Sequence, residues 1–387
     1  MLPLEKIKIL DFSQSAAGPF GSMMLADMGA DVIKVEPLTG DAFRPALAGG
    51  WSLILNRNKK SLALDLKSET GKEIALKLAK QTDIFLESFT PGTIKKLGLG
   101  YETVKAINSS IIYCSLSGYG QDGPYSSRAG YDVCSQAECG MMAATGEPDG
   151  GYVRIGASPI DYGTGMFAVI GILLALQARN EMGKGQFIDV SLFDTGLTWM
   201  DYWFANYFLT GNNPSRYGSG HEYATPYKVF ETKDYPVFIG VASDKAFGDF
   251  CLQMGLDELL KDERFNNFLS RLHNRDELEQ IVQKAVKKFT RQEIITKLEP
   301  YKIPYAPVNK ISDLINDPHV KARNTLIELD SENGKIAVPG IPIRLSETPA
   351  KIRRPAPRIG EHTEEILSEL GYDKKSISDM RENKIIC

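Results

Sequence analysis

Within ASPIDYGTG, residues 157–165, one carboxylate, Asp161, sits among small residues just ahead of an apolar run, MFAVIGILLAL. A carboxylate can form covalent acyl intermediates when it is held in position and kept away from water. The same residue type at the start of an apolar segment is also a favoured helix N-cap, worth typically about 1 kcal/mol. Gly163 and Gly165 fit a plain cap poorly, because glycine costs a helix interior roughly 1 kcal/mol relative to alanine. Two glycines beside a carboxylate also admit close approach of a ligand or of another backbone. On the residues alone both readings stay open, and they are compatible, since amides at a helix start stabilise negative charge.

Other chemistries are less well served. The four histidines lie far apart and form neither HExxH nor a Cys/His cluster, so no metal site is expected. Five scattered cysteines make no disulfide framework. DVIKVE ends on Glu36, where a ribose-binding acid stands in dinucleotide sites, but AAGPFG lacks GxGxxG, which argues against nucleotide redox chemistry. Lys34, Lys67, Lys95, Lys96 and Arg128 recur near predicted strand and helix ends. They are either solvated surface charges or a set converging on the phosphates of a nucleotide-like ligand. The aromatic group Trp199, Tyr202, Trp203, Phe204, Tyr207 and Phe208 suits a core, an oligomer interface or an acyl pocket. The loop YGSGHEY, with Gly218, Ser219 and Gly220, is either a connection or a mobile lid.

The elements that must position these residues read as α/β. KIKILDF, DVIKVE, KSLALDL, DIFLESF and SIIYCSL are strand-like and alternate with helical stretches, which predicts a mostly parallel sheet with helices on both faces. In SETGKEIALKLAKQ, Ser68 or Thr70 is the expected N-cap, and Glu73 stands at capping-box spacing from Thr70. From Gly123 the chain is glycine-rich and reads as loop through MMAATGEPDGG. YKVFETKDYPVFIGVA predicts a hairpin opening a smaller domain, residues 225–320. The net charge of −4 suggests neither a nucleic-acid nor a membrane partner. The longest nearly apolar run, Gly165 to Ala178, falls short of the roughly 20 residues that span a bilayer. No signal peptide is seen at MLPLEKIKIL, so a cytoplasmic protein with reduced thiols is expected.

In this order the segments resemble the family III CoA-transferases, the group that includes formyl-CoA transferase, carnitine CoA-transferase and α-methylacyl-CoA racemase. The resemblance covers essentially the whole chain. It is carried by LDFSQSAAGPFGSMMLADMGADVIKVE, NRNKKSLALDLKSETGK, LESFTPGTIKKLGLGYE, SGYGQDGPYSSRAGYDVCSQAECGMMAATGEPDG, DYGTGMFAVIGILLALQARNEMGKGQFIDVSLFD and RIGEHTEEILSELGY. It implies that Asp161 is the nucleophile. It implies CoA contacts at Ala16, Ala17, Leu64 to Lys67, Ser88, Phe89, Lys96 and the segment from Ala129 through Tyr131 to Asp132, with Arg128 adjacent. Pro37 stands where formyl-CoA transferase has a CoA-binding arginine, which leaves Arg44 or Arg57 as substitutes. Gly130-Tyr131-Asp132 replaces the Gly-His-Asp motif of the racemase branch. Tyrosine, with a reference pKa of about 10, is a poor base at neutral pH, which favours CoA transfer over the alternative, acyl-CoA racemisation.

The fold implied is a Rossmann-like large domain formed by both chain ends, residues 1–224 and 321–387, plus the small α+β domain, with two chains interlocked as a homodimer. The reaction implied runs from an acyl-CoA donor to a carboxylic acid acceptor through an aspartyl-acyl anhydride and an aspartyl-CoA thioester. No permanently bound cofactor is implied, CoA being substrate. Backbone N–H groups near Gly163 to Gly165 are the expected oxyanion donors, and the 218–220 loop the expected lid.

Overall fold

The computed structural model of the chain describes residues 1–331 and 334–387. Six parallel strands form the main sheet: β1 (Lys8–Asp11), β2 (Asp31–Glu36), β3 (Lys59–Ala63), β4 (Ile84–Glu87), β5 (Ile112–Ser117) and β6 (Phe187–Ser191). Their spatial order is β3-β2-β1-β4-β5-β6. Every residue of β3, β4 and β5 is buried, as expected for parallel strands covered on both faces. The two-residue period of a strand sends successive side chains to opposite layers. Ile9, Ile84, Ile112 and Cys114 enter one core with Met23 and Leu25 of the first helix, Ala17–Asp27, and Ala168 and Ile172 of a long helix, Pro159–Met182. Leu10, Phe85 and Tyr113 enter the other, with Ile74 and Leu78 of Glu69–Ala79, and Ile366 and Met380 near the chain end.

The chain divides into two compact units. The larger is built from Met1–Met141, Ile155–Tyr202 and Asn324–Cys387; the smaller from Met142–Arg154 and Trp203–Arg323. The smaller unit holds an antiparallel sheet of Tyr227–Phe230, Val237–Gly240 and Tyr305–Pro307, so the predicted hairpin forms. Phe230, Val237, Phe250, Val282 and Ile294 pack its core. In the larger unit, Leu326–Ser331 pairs antiparallel with Gly334–Pro339.

One local alternative is decided and two expectations change. Ser68, not Thr70, caps Glu69–Ala79, accepting the Gly71 N–H at 3.0 Å, because the helix starts one residue before Thr70. The stretch after Gly123, read as loop, contains the helix Asp132–Glu138, hidden in sequence by the glycines on either side of it. The helix containing Asp161 runs for 24 residues, long and apolar enough by composition to cross a membrane. One side of it nonetheless packs on the sheet through Ala168, Val169, Ile172 and Ala175.

Candidate active site

Asp161 lies in the first turn of the long helix, two residues after Pro159, and is not its cap. Ser158 occupies the cap position without a side-chain hydrogen bond. The orphan amides of the first turn are nevertheless satisfied. Pro159 has no N–H. Asp132 Oδ2 accepts the N–H groups of Ile160 at 2.8 Å and of Asp161 at 3.1 Å, and Ser158 O accepts that of Tyr162 at 3.2 Å. The cap therefore comes from a different helix, twenty-nine positions earlier in sequence than Asp161. From Gly163 onward each N–H lies within the helical ladder, so the expected oxyanion donors at Gly163 to Gly165 are already engaged.

The two glycines have a packing reason. A Cβ on Gly163 would meet the Trp199 ring at 2.3 Å, and one on Gly165 would meet Ala17 O at 2.5 Å. The close approach that glycine permits is thus used by an indole and by the backbone of the first helix. Thr164 is tied down as well, donating to Ile160 O at 2.8 Å and bonding Thr195 Oγ1 at 2.9 Å. Phe20 of the first helix meets the Tyr162 ring edge-on at 4.6 Å.

Burial, with the neighbouring Asp132 charge in second place, pushes the Asp161 carboxyl up to about 7. Its value in the unfolded chain is about 3.9, so folding favours the protonated form. Ionisation therefore costs stability progressively as pH rises from about 4 to about 7, and the cost is fully present above that. Asp161→Asn escapes it. The advantage of this variant over the unmodified protein is expected to grow from near zero at pH 4 to about 2 kcal/mol at pH 8, once partial exposure is allowed for. Unfolding curves for both proteins at the two pH values test this; parallel pH dependences would refute it.

The sheet order reverses between β1 and β4, and in open α/β sheets ligands bind outside the carboxyl ends of the strands at such a switch point. Here the loops after β1 and β4 are joined: Ser88 Oγ accepts the Gln14 N–H at 2.8 Å. Glu87 accepts the Phe89 N–H at 2.9 Å, and burial pushes its carboxyl up to about 7. A cavity of about 270 Å³ opens here, lined by Leu64, Lys67 and Phe89 with Gln14, Pro37 and Leu38. Five of the expected CoA contacts, Leu64 to Lys67 and Phe89, thus come together around the position where the arginine is missing. Ala16 and Ala17 are buried at the start of the first helix, and Lys96 is exposed.

Several basic candidates are already occupied. Lys34 is fully buried, donating to Ser13 O at 2.7 Å and pairing with Asp41 at 3.5 Å, so it cannot sit on a surface phosphate. Arg57 is buried against Asp27, its Nη2 2.7 Å from the carboxylate. Arg44 grips Glu36 in two places, at 2.5 and 2.7 Å. Neither arginine is a free substitute at Pro37. Beneath the loop after β1, Asp11 accepts from the Ser13 and Ser22 hydroxyls and from Lys59. Burial works to raise the Asp11 carboxyl, but Lys59 and Lys34 outweigh it and hold it below its usual range. Burial pushes the Lys59 ammonium down to about 8.

Arg128 is exposed and pairs with Glu138, and its guanidinium lies 4.7 and 4.6 Å from the centres of the Tyr119 and Tyr125 rings. Tyr131 precedes Asp132 and is 57% exposed, whereas Asp132 is buried. In the smaller unit the 218–220 loop is anchored: Gly218 N–H reaches Gly146 O at 2.9 Å, and Ser219 Oγ accepts the Val229 N–H at 3.1 Å. The aromatic helix Asp201–Thr210 buries none of its residues, so it is not core of this chain. Sequence reading missed the capping role of Asp132 and the contact of Trp199 with Gly163. An aspartate followed at once by helix-compatible residues was the available signal for the first; nothing signalled the second.

The six-stranded parallel sheet with a cavity at its switch point describes an α/β protein of the kind that binds ligands at the carboxyl ends of its strands. The family model for CoA-transferase family III matches residues 4–363, and the chain belongs to that family. It is 38% identical over 387 residues to the succinyl-CoA:glutarate CoA-transferase of Homo sapiens, covering 98% of this chain and 88% of that one. It is 36% identical to the succinate–glutarate CoA-transferase of Agrobacterium fabrum, with 95% and 96% covered. The structure of a CAIB/BAIF family protein from Brucella suis superposes with a TM-score of 0.87 at 36% identity, covering 95% of this chain and 99% of that one. The chain is accordingly a CoA-transferase, with acyl-CoA thioesters and carboxylic acids as its substrates.

Proposed function

We propose that the chain moves CoA between short dicarboxylic acids, with a succinyl-CoA-like donor and a glutarate-like acceptor, and that Asp161 is the nucleophile. The two relatives named for succinate and glutarate, alike over nearly the whole chain, support the substrate class. The observation that carries the role of Asp161 is its setting: a partly buried carboxyl in a capped helical turn, with its proton affinity raised to about 7.

The carboxylate attacks the donor thioester, giving an aspartyl-acyl anhydride and CoA thiolate. The thiolate attacks the aspartyl carbonyl, releasing the donor acid and leaving an aspartyl-CoA thioester. The acceptor carboxylate attacks that thioester and expels the thiolate, which takes the acceptor acyl group and frees Asp161. CoA is substrate throughout. We read the switch-point cavity as its nucleotide end, with Leu64, Lys67, Ser88 and Phe89 as contacts, Ala16 and Ala17 framing the entry, and Lys96 and Arg128 meeting anionic groups.

The 3-2-1-4-5-6 strand order supports a Rossmann-like description of the larger unit. A second copy of the chain accounts for two exposed apolar features. Met166, Ile170, Leu173 and Leu174 form one stripe on the long helix, and Phe208 and Leu209 are more than four-fifths exposed.

The test is chemical. Incubation with succinyl-CoA, then hydroxylamine or borohydride, is expected to leave a modified Asp161 peptide in the mass spectrum. Chromatography of a panel of acceptor acids is expected to show glutarate-sized dicarboxylates as the best acceptors. Transfer without any adduct on that peptide would remove Asp161 from the mechanism; a preference for monocarboxylates would remove the substrate class.

A further inference from the structure

The long helix carries Asp161 but does not supply its own cap, and the group that does is an ionisable one. Asp132 is 95% buried, yet its carboxylate is fully engaged. Oδ2 takes the amides of Ile160 and Asp161, and Oδ1 takes the Gln136 Nε2 amide. Gln136, itself fully buried, uses its Oε1 to accept the Ile155 N–H at 2.8 Å, so the segment leading into the helix is held by the same pair. A neutral amide would keep one acceptor oxygen for the two main-chain amides but would set its own NH2 against Gln136 Nε2, so a carboxylate is what accepts all three bonds. A carboxylate is the more costly choice at a buried position, because an ion is hard to desolvate, unless its charge is used.

We propose that Asp132 is a positioning residue for the Asp161 carboxylate, clamping the backbone of the first helical turn and setting a fixed negative charge beside the reacting group. The inference rests on the reading of Asp161 as the nucleophile. The groups facing Asp161 make Asp132 the charge that acts on it. Its own helix contributes Tyr162, whose hydroxyl is disfavoured from ionising first by burial and then by Asp161. The first helix contributes Ala17, Phe20 and Gly21 against this turn, none of them ionisable. The helix Leu192–Thr198 contributes Thr195, while its Asp194 is turned to the Ser191 hydroxyl at 2.7 Å. On the Asp132 side, the buried Cys139 thiol is raised by burial and feels Asp132 in turn. Burial is the larger cause of the raised proton affinity of Asp161, and Asp132 adds to it. The consequence is chemical, since nucleophilicity falls as proton affinity falls. A fixed like charge keeps the ionised aspartate reactive, and the clamp keeps it aimed.

The experiment begins with the hydroxylamine trap on the unmodified protein, which must show the Asp161 adduct. The pH dependence of kcat/KM is then compared with that of Asp132→Asn, which keeps an acceptor oxygen for the two amides, removes the charge and gives up the bond from Gln136 Nε2. Its acid limb is expected to move to lower pH by about half a unit to one unit. Asp132→Ala, which also removes the acceptor, is expected to lose about 10²-fold in kcat with little change in KM. Should Asp132→Asn fail to fold, Asp132→Glu carries the test. It is expected to keep the acid limb in place while kcat falls about tenfold, because the charge remains and the reach changes. An absent adduct in the unmodified protein removes the nucleophile and this inference with it. An adduct together with an unmoved limb in Asp132→Asn overturns the inference alone, since a merely structural cap alters stability and not the limb. An undiminished kcat in Asp132→Ala or Asp132→Glu also overturns it.

Discussion

Asp161→Ala is expected to lower the rate of CoA transfer by about 10⁴-fold or more while leaving circular dichroism and thermal unfolding close to those of the unmodified chain. The size follows from the chemistry. On the proposed mechanism, without the carboxylate neither the anhydride nor the enzyme-bound thioester forms, and direct exchange between two acids needs both to meet with no covalent intermediary. The fold survives because the first turn is held through the Asp161 N–H, which alanine retains, and not through its side chain. Removing a partly buried carboxyl of raised proton affinity also relieves an ionisation cost at neutral pH. Initial-rate assays with a dicarboxyl-CoA donor, with circular dichroism on the same sample, measure both halves. A variant within tenfold of normal would end the nucleophile reading.

Gly165→Ala is the second large effect, and its sign runs against helix propensity. Alanine in place of glycine inside a helix ordinarily gains up to about 1 kcal/mol. At Gly165 the new Cβ falls 2.5 Å from Ala17 O and 3.0 Å from the Phe20 ring. The first of these is backbone, so the two helices must separate. A net loss of about 2–4 kcal/mol is expected, together with reduced activity, because the first helix is packed against the turn that holds Asp161. Gly248→Ala is the control. Gly248 lies within the helix Asp244–Met254, and a Cβ there would meet nothing within 4 Å, so that substitution is expected to stabilise the protein slightly. Thermal unfolding of the two variants should move in opposite directions. Movement in the same direction would mean that the helix contact at Gly165 is loose.

Much of the larger unit was legible along the chain. β1, β2 and β4 lie within the predicted strands and β3 and β5 overrun theirs by one residue, because fully buried parallel strands are written as apolar runs and their helices as amphipathic ones. Asp161 was legible as a residue needing explanation, since glycines two and four positions on weaken a simple cap. The helix Asp132–Glu138 was not, because seven residues among glycines carry too little period to register. Nor were the fates of the basic residues. Lys34 and Arg57 look in sequence like any surface charge, and only the partners Asp41 and Asp27 reveal them as buried ions.

The sequence by itself determined the alternation of strands and helices and the family, and it singled out Asp161 as the carboxylate proposed here to act, because each of these is encoded in residues that are neighbours along the chain. Tertiary structure alone decided what caps the long helix, what the glycines at 163 and 165 make room for, and which lysines and arginines are free. Those outcomes depend on hydrogen bonds and close contacts between segments far apart in sequence, such as Asp132 with Ile160, Gly165 with Ala17, and Arg57 with Asp27. Local propensity carries no information about such pairings until the sheet has brought the segments together.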